Sequence, residues 1–265
     1  MKQRIITGVI AGSLFAILVT IGKWPYEALL IALSLIGYYE FVRMHHKRTF
    51  DIASVIGYLV LLFITIPWDK WGIAFGLTYE AVIWLSMFAM LCVTVVSKND
   101  VPIQKAAVLW LGALYIGIGF KYMMITRTFM DNGLVWTIIL FAAIWASDIG
   151  AYFTGRAIGK HKLWPAISPN KTIEGAVGGI LSSVIVMLIA MWIRPDLLSF
   201  PLSIGIGLSA AVFGQMGDLI QSAYKRVCGV KDSGNLLPGH GGILDRTDSW
   251  IIVFPFLHLI GLLSL

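Results

Sequence analysis

The sequence predicts an all-α polytopic integral membrane protein. Its 265 residues are 58% hydrophobic and only 13% charged, whereas about a quarter of the residues in soluble domains are charged. The mean hydropathy is +0.84, and apolar runs of about 18 residues or more recur, each long enough to cross about 30 Å of hydrocarbon. These runs are continuous rather than alternating, which favours membrane helices over a β-barrel.

Nine apolar segments are expected to cross the membrane. With the N-terminus in the cytoplasm and the C-terminus on the outer side, inner loops hold 15 Lys and Arg residues and outer loops hold 4. This bias agrees with the positive-inside rule. Dividing segment 72–96 into two helices would leave 7 inside and 12 outside, so one tilted helix is expected there. The segments are 5–22, 26–42, 52–68, 72–96, 106–125, 134–153, 172–193, 200–220 and 249–265.

The first segment follows a short basic stretch, as a secretory signal would. Its apolar run is longer than a usual signal core, and no small-x-small cleavage site follows it, so a membrane anchor is expected. The two cysteines, Cys92 in a span and Cys228 in a charged loop, indicate no disulfide framework. The net charge of +6 is concentrated in the inner loops, a distribution typical of membrane topology rather than of nucleic-acid binding.

The chain is expected to have a structural half, 1–133, and a catalytic half, 134–265. In the first half, Glu40 is expected to reach the membrane interface, and Glu80 and Lys121 are expected to pair inside the bundle. In the second half, four helix ends and two loops bring polar residues to the cytoplasmic face. Because ionisable residues at membrane depth are costly and usually functional, a shared site is expected at that face.

Three aspartates are candidates for a metal site. Asp245 and Asp248 share one face if a helix begins there, and Asp218, at the end of the preceding span, can approach them. Three neighbouring carboxylates repel unless a cation intervenes, and hard oxygen ligands suit Mg²⁺ or Mn²⁺. The alternative is that Asp245 caps a helix and Asp248 pairs with Arg246 or a lysine.

Glycines and basic residues next to these aspartates predict phosphate binding. The stretch PGHGG at 238–242 lets the backbone approach a bulky anion, because glycine lacks a side chain and permits positive φ; a plain turn is the alternative. Lys225, Arg226 and Lys231 precede it. Cationic side chains, exposed amides and a carboxylate-held metal are together what nucleotidyl transfer needs. His240 is expected to contact a phosphate or to order the loop.

A second stretch, SPNKTIEG at 168–175, has similar features. Pro169 and Thr172 suit a helix start, whose free amides attract anions, and Lys171 adds a positive charge. The alternative is a basic anchor at the membrane surface. Glu174 could pair with a lysine or bind a metal, and both remain open. The GxxxG over 175–179 predicts close helix packing.

At these positions the chain resembles the phosphatidate cytidylyltransferases, also called CDP-diacylglycerol synthases. Their signature runs Ser, two residues, Lys-Arg, four residues, Lys-Asp, then Pro-x-His-Gly-Gly and Asp-Arg-x-Asp. Tyr224, where the family has an aliphatic residue or Phe, is a mild departure. SPNKTIEG, Asp148 and the multi-span layout also resemble the family. The matching residues are Ser222, Lys225, Arg226, Lys231, Asp232, Gly234, Pro238, His240, Gly241, Gly242, Asp245, Arg246 and Asp248.

The resemblance implies that CTP and phosphatidic acid react to give CDP-diacylglycerol and pyrophosphate at the cytoplasmic face of a bacterial inner membrane. It implies Mg²⁺ as cofactor, with a second cation left open, and the lipid bilayer as partner, with a homo-oligomer left open and no nucleic acid. The implied catalytic residues are Lys171, Asp218, Lys225, Asp245 and Asp248, of which the three aspartates bind the metal. The implied substrate-binding residues are Asp148, Asn170, Lys171, Arg226, Lys231, His240, Gly241, Gly242 and Arg246.

Two other functions compete with this prediction. A transporter would also carry intramembrane carboxylates, but transporters place them near the midplane, at broken helices in two related halves. Here they gather at one face of one half. A phosphotransferase that consumes CDP-lipids is expected to carry Asp-Gly-x-x-Ala-Arg, which the sequence lacks. Cytidylyl transfer is therefore the favoured prediction.

Overall fold

The computed structural model describes residues 2–45, 50–74, 76–236, 239 and 241–263. The described residues form ten α-helices and one two-stranded antiparallel hairpin, which confirms the predicted helical class. Every predicted apolar segment contains a helix. The elements are α1 (Lys2–Ile21), α2 (Lys23–His45), α3 (Ile52–Thr65), α4 (Tyr79–Val96), α5 (Ile103–Phe129), α6 (Gly133–Ile158), β1 (Lys162–Trp164), β2 (Ser168–Thr172), α7 (Ile173–Ile193), α8 (Phe200–Val227), α9 (Leu244–Thr247) and α10 (Trp250–Leu259).

Six of the described helices, α2 and α4 to α8, are long and apolar enough to cross a membrane. Three further predicted segments contain shorter apolar helices, over Ile6–Ile21, Ile52–Thr65 and Trp250–Leu259. Helices of this length and composition are those of an integral membrane protein. Nine crossings and the orientation of the termini stay predictions.

Helices α4 and α10 are each several residues shorter than the segments predicted for them. Segment 72–96 holds one helix, as predicted, but α4 begins at Tyr79, where the side chain of Thr78 accepts a hydrogen bond from Ala81 N at 3.2 Å. Gly72 turns the chain with φ +73° before this cap, and the helix therefore starts late. The last helix ends at Leu259, because Gly261 turns the chain with φ +75°, a common helix stop.

The chain folds into two compact units. The first comprises the described residues of 1–129 together with those of 232–246, and the second comprises 130–231 and 247–263. The loop within the C-terminal signature thus packs in the same unit as α1 to α5. The predicted division at residue 133 into structural and catalytic halves concerns roles and stays a prediction.

Helices α2, α3 and α5 pack closely in the first unit because glycines face large side chains. A β-carbon on Gly57 of α3 would overlap the hydroxyl of Tyr38. That hydroxyl donates to the carbonyl oxygen of Leu109 in α5 at 3.1 Å. Gly112 leaves room for the ring of Phe41 in the same way. Tyr38 therefore links three helices at a point that only glycine leaves open.

The predicted pairing of Glu80 with Lys121 is wrong. Glu80 lies exposed in the first turn of α4. The Lys121 ammonium lies over the ring of Tyr79, 3.6 Å from its centroid. The ring face supplies the negative potential that a carboxylate was predicted to supply.

Replacing Gly57 by Ala should destabilise the protein, because the added methyl group displaces Tyr38 and breaks its bond to Leu109. Overpacking of this kind costs about 1–3 kcal/mol, which a lower thermal midpoint in detergent would measure. Gly12→Ala is the control, since no neighbouring atom lies within 4 Å of its added β-carbon. Equal midpoints for the two variants would contradict this account of the packing.

Candidate active site

Helices α6 and α7 approach closely in the second unit. A β-carbon on Gly175 would lie 2.8 Å from the carbonyl oxygen of Ala151, and one on Gly179 would lie 2.8 Å from that of Ser147. Both contacts are too short for any larger residue, so the GxxxG packs helices, as predicted. The close contact brings the α6 backbone on either side of Asp148 against the first turns of α7.

The loop between these helices is a hairpin that Glu174 holds in place. Its carboxylate accepts hydrogen bonds from the backbone N–H groups of Lys160 and His161, at 3.1 and 3.2 Å, and contacts His161 Nδ1 at 2.6 Å. Thr172 caps α7, accepting from Gly175 N at 3.1 Å. In this structure Glu174 therefore orders the hairpin that carries Lys171, a role that the sequence left open.

Lys171 and Asp218 form an ion pair. The Lys171 ammonium lies 2.7 Å from Asp218 Oδ2, and the hydroxyl of Ser222 donates to Asp218 Oδ1 at 3.2 Å. Both charged side chains remain partly exposed, at 25% and 38% of their surface. A lysine from β2 and an aspartate from α8 thus meet at one accessible position.

Asp248 belongs to the same cluster. It follows α9, and a β-carbon on Gly217 of α8 would overlap its carbonyl oxygen, so glycine permits this close approach. Burial of the half-buried Asp248 carboxyl raises its pKa to about 7, with further increases from Asp218 and Asp148 that Lys225 partly opposes. Three carboxylates therefore lie close enough for their charges to interact, in a set that includes Asp148 rather than Asp245.

Asp245 organises the signature loop within the first unit. Its Oδ2 accepts hydrogen bonds from Ser233 N and Gly242 N, at 2.8 and 2.9 Å, and lies 3.0 Å from Ser233 Oγ. Gly241 has φ +82°, and a β-carbon there would lie 2.6 Å from Asp245 Oδ2, so this position requires glycine. Asp245 and Asp248 belong to different units, and the three-aspartate metal site stays a prediction.

Glu40 was expected at the membrane interface, and that expectation is wrong. Its side chain is buried, with 4% of its surface exposed, and it accepts hydrogen bonds from the loop that contains Asp245. This role was not predicted, because the partners of Glu40 lie about 200 positions away along the chain. The feature of the sequence that could have indicated this role is an acid inside an apolar helix, one turn after Gly37.

The other predicted substrate-binding residues have surface positions or fall outside the described residues. Arg226 is exposed, and its Nε donates to the carbonyl oxygen of Ile167 at 3.2 Å. Asn170, Lys231 and Arg246 are exposed. His240 lies outside the residues that the structure describes, and its role stays a prediction.

The aspartates offer the carboxylate oxygens that Mg²⁺ prefers, and an Mg²⁺ site stays a prediction. Among the described residues, no three His, Cys, Asp or Glu side chains are grouped as they would be around a metal ion. The donor set fits Mg²⁺ nevertheless, because Mg²⁺ prefers carboxylate oxygens. The charge repulsion at Asp248 is the kind that a cation would relieve.

The chain was compared with known protein families. It matches the model of the cytidylyltransferase family over residues 2–263. The chain belongs to this family. A phosphatidate cytidylyltransferase of Bacillus subtilis is 40% identical over 261 residues, covering 98% of this cytidylyltransferase and 97% of the relative. Proteins of the same name from Staphylococcus haemolyticus and Staphylococcus saprophyticus are 38% and 40% identical over 260 residues, with 98% of each chain covered.

These matches confirm the resemblance and extend it beyond the signature to almost the whole chain. In this cytidylyltransferase the signature is divided between the units. Ser222 to Lys231 and Asp248 lie in the second unit, whereas the described residues from Asp232 to Arg246 lie in the first. A motif that is continuous in sequence therefore supplies side chains to two separately packed bodies.

Replacing Glu174 by Ala should loosen the hairpin, because the N–H groups of Lys160 and His161 lose their acceptor. We expect trypsin to cleave after Lys160 or Lys162 several-fold faster than in the wild type, since proteolysis follows local opening. Mass spectrometry of the detergent-purified protein measures the rates. Glu80→Ala, at an exposed first helical turn, is the control. Unchanged cleavage in the Glu174 variant would contradict its anchoring role.

Proposed function

We propose that this protein transfers CMP from CTP to phosphatidate, giving CDP-diacylglycerol and pyrophosphate. The observation that carries the proposal is the ion pair between Lys171 and Asp218, which lies beside Asp248. The chain that contains it belongs to the cytidylyltransferase family. Relatives named for this reaction match over almost their whole length. The arrangement supplies opposite charges at one accessible position, as a reaction between two polyanions requires.

The chemistry needs few groups from the protein. A phosphate oxygen of phosphatidate attacks the α-phosphorus of CTP, the bond from that phosphorus to the bridging oxygen breaks, and pyrophosphate leaves with the electron pair. The lipid phosphate is already an anion, so neither a covalent enzyme intermediate nor a general base is needed. Lys171 and Lys225 hold the two polyanions together by offsetting their repulsion, and the site aligns them for in-line attack.

We propose that Mg²⁺ is the cofactor and that Asp218, Asp245 and Asp248 hold it. Asp148 lies close enough for its charge to act on Asp248 as well. When bound, the ion would neutralise charge on the CTP phosphates. The carboxylates of Asp218 and Asp148 support this proposal, because their charges act on Asp248 and a cation would relieve that repulsion. The remaining predicted contacts to substrate are assigned to Asn170, Arg226, Lys231, His240, Gly241, Gly242 and Arg246.

We further propose nine crossings, with the N-terminus and the site on the cytoplasmic side of a bacterial inner membrane. The excess of Lys and Arg in the inner loops supports this orientation. CTP is a cytosolic nucleotide, whereas phosphatidate presents its phosphate at the membrane surface. A site at the cytoplasmic face is where the two substrates meet.

Asp218→Asn and Asp248→Asn should each lower CMP transfer by about a hundred-fold or more, because each removes charge that the reacting phosphates and the cation require. The assay follows labelled CTP and phosphatidate with purified protein, and a thermal midpoint shows that each variant is folded. Asp196→Asn is the control, since Asp196 pairs with Arg194 away from this cluster. Full activity in excess EDTA would contradict the Mg²⁺ proposal, and an inactive wild type would contradict the reaction.

Cys228 tests the sidedness of the site. It caps the end of α8, two residues after Arg226, so a membrane-impermeant maleimide should label it in inverted vesicles but not in intact cells. Burial raises the pKa of its thiol, and labelling should therefore be run at about pH 8, where more thiolate forms. Cys92→Ser should give the same result. Labelling from outside intact cells would overturn the topology and favour a transporter.

A further inference from the structure

Glu40 is a buried acid of the first unit that the chemistry proposed above does not use. It lies in α2 with 4% of its surface exposed, where an unsatisfied charge would be costly. Its Oε1 accepts a hydrogen bond from Ile243 N at 2.9 Å, and its Oε2 accepts from Leu244 N at 3.0 Å. Ser233 Oγ donates to Oε2 at 2.9 Å. Both oxygens are therefore bound to the signature loop.

The loop is shaped around this carboxylate. A β-carbon on Gly234 would lie 2.6 Å from Glu40 Oε1, and one on Gly242 would overlap Oε2. One helical turn before Glu40, Gly37 leaves space for the buried side chain of Leu244. A β-carbon on Gly37 would lie 3.1 Å from Leu244 Cδ2. Backbone and side chain of the loop thus fit one face of α2, with Glu40 at its centre.

Ser233 connects Glu40 to a predicted catalytic residue. Its hydroxyl contacts Glu40 Oε2 at 2.9 Å and Asp245 Oδ2 at 3.0 Å. Asp245 Oδ2 also accepts from Gly242 N, next to the Ile243 amide that Glu40 holds. Moving the Glu40 carboxylate would therefore move the groups that fix Asp245.

We propose that Glu40 is a positioning residue for cytidylyl transfer, which holds residues 232–236 and 241–246 and thereby sets the place of Asp245, Gly241 and Gly242. This inference rests on the proposed function, because Asp245, Gly241 and Gly242 matter only if the loop contacts the reacting phosphates. Glu40 itself touches no substrate. It acts through the backbone amides of Ile243 and Leu244 and through the hydroxyl of Ser233.

Glu40→Gln tests the proposal with almost no change in size. Both carboxylate oxygens accept hydrogen bonds from N–H groups, and glutamine offers only one acceptor, so its amide nitrogen would face the N–H of Ile243 or Leu244. Two donors facing each other cannot bond. Glu27→Gln is the matched control, because Glu27 lies in the same helix, is 7% exposed, and accepts from Trp71 Nε1 at 3.1 Å.

The experiment combines kinetics with hydrogen exchange in detergent. Relative to the wild type and Glu27→Gln, we expect Glu40→Gln to lower kcat/KM for CTP by about ten-fold or more. The KM for CTP should rise, which a smaller folded fraction cannot cause. Amides of residues 241–247 should exchange faster, while those of α3 and α5 stay unchanged.

The outcomes separate this inference from the proposed reaction. An unchanged KM for CTP in Glu40→Gln, or unchanged exchange at 241–247, would overturn the positioning role. Faster exchange throughout the chain would also overturn it, because it would show a general loss of stability. An inactive wild type would instead overturn the proposed reaction, and the exchange comparison would still show whether Glu40 holds the loop.

Discussion

The energetic cost of placing charge among apolar helices is the constraint on which the described structure depends. Three ionisable side chains within the helices discussed above each meet a specific partner. Glu40 meets backbone amides, Lys121 meets the face of an aromatic ring, and Asp218 meets a lysine. Because each partner is specific, these few contacts fix which helix faces and loops come together, whereas apolar packing alone would allow many arrangements.

The helical class and the helix positions could be predicted from sequence because they depend on local composition. Apolar length predicts a membrane helix almost independently of the rest of the fold. The close α6–α7 contact was also predictable, because the four-residue spacing of Gly175 and Gly179 is typical of closely packed helices. Helix ends were predicted less well, because a cap such as Thr78 or a glycine such as Gly261 depends on individual hydrogen bonds and φ angles.

Partners far apart in sequence could not be predicted, and most of the candidate site consists of such pairs. The motifs placed Lys171 and Asp218 in one functional set, yet nothing in their spacing indicated that they pair directly. Glu40 was noticed as an acid in a span but assigned to the interface, because its partners are backbone amides, and these have no residue-type signature. Glu80 and Lys121 show a different error. Their opposite charges suggested an ion pair, but Lys121 instead contacts an aromatic ring.

The placement of residues 232–246 in the first unit has a consequence for recombination between related chains. A chimaera joined near residue 130 would take α2 from one parent and the loop from the other. In such a hybrid, α2 would fit the loop only if both parents have an acid at position 40, a small residue at 234 and a glycine at 242. This holds even though each parental half is intact. The loop therefore has to be exchanged together with a helix almost 200 residues upstream. The segment that can be exchanged between relatives is larger than the signature motif.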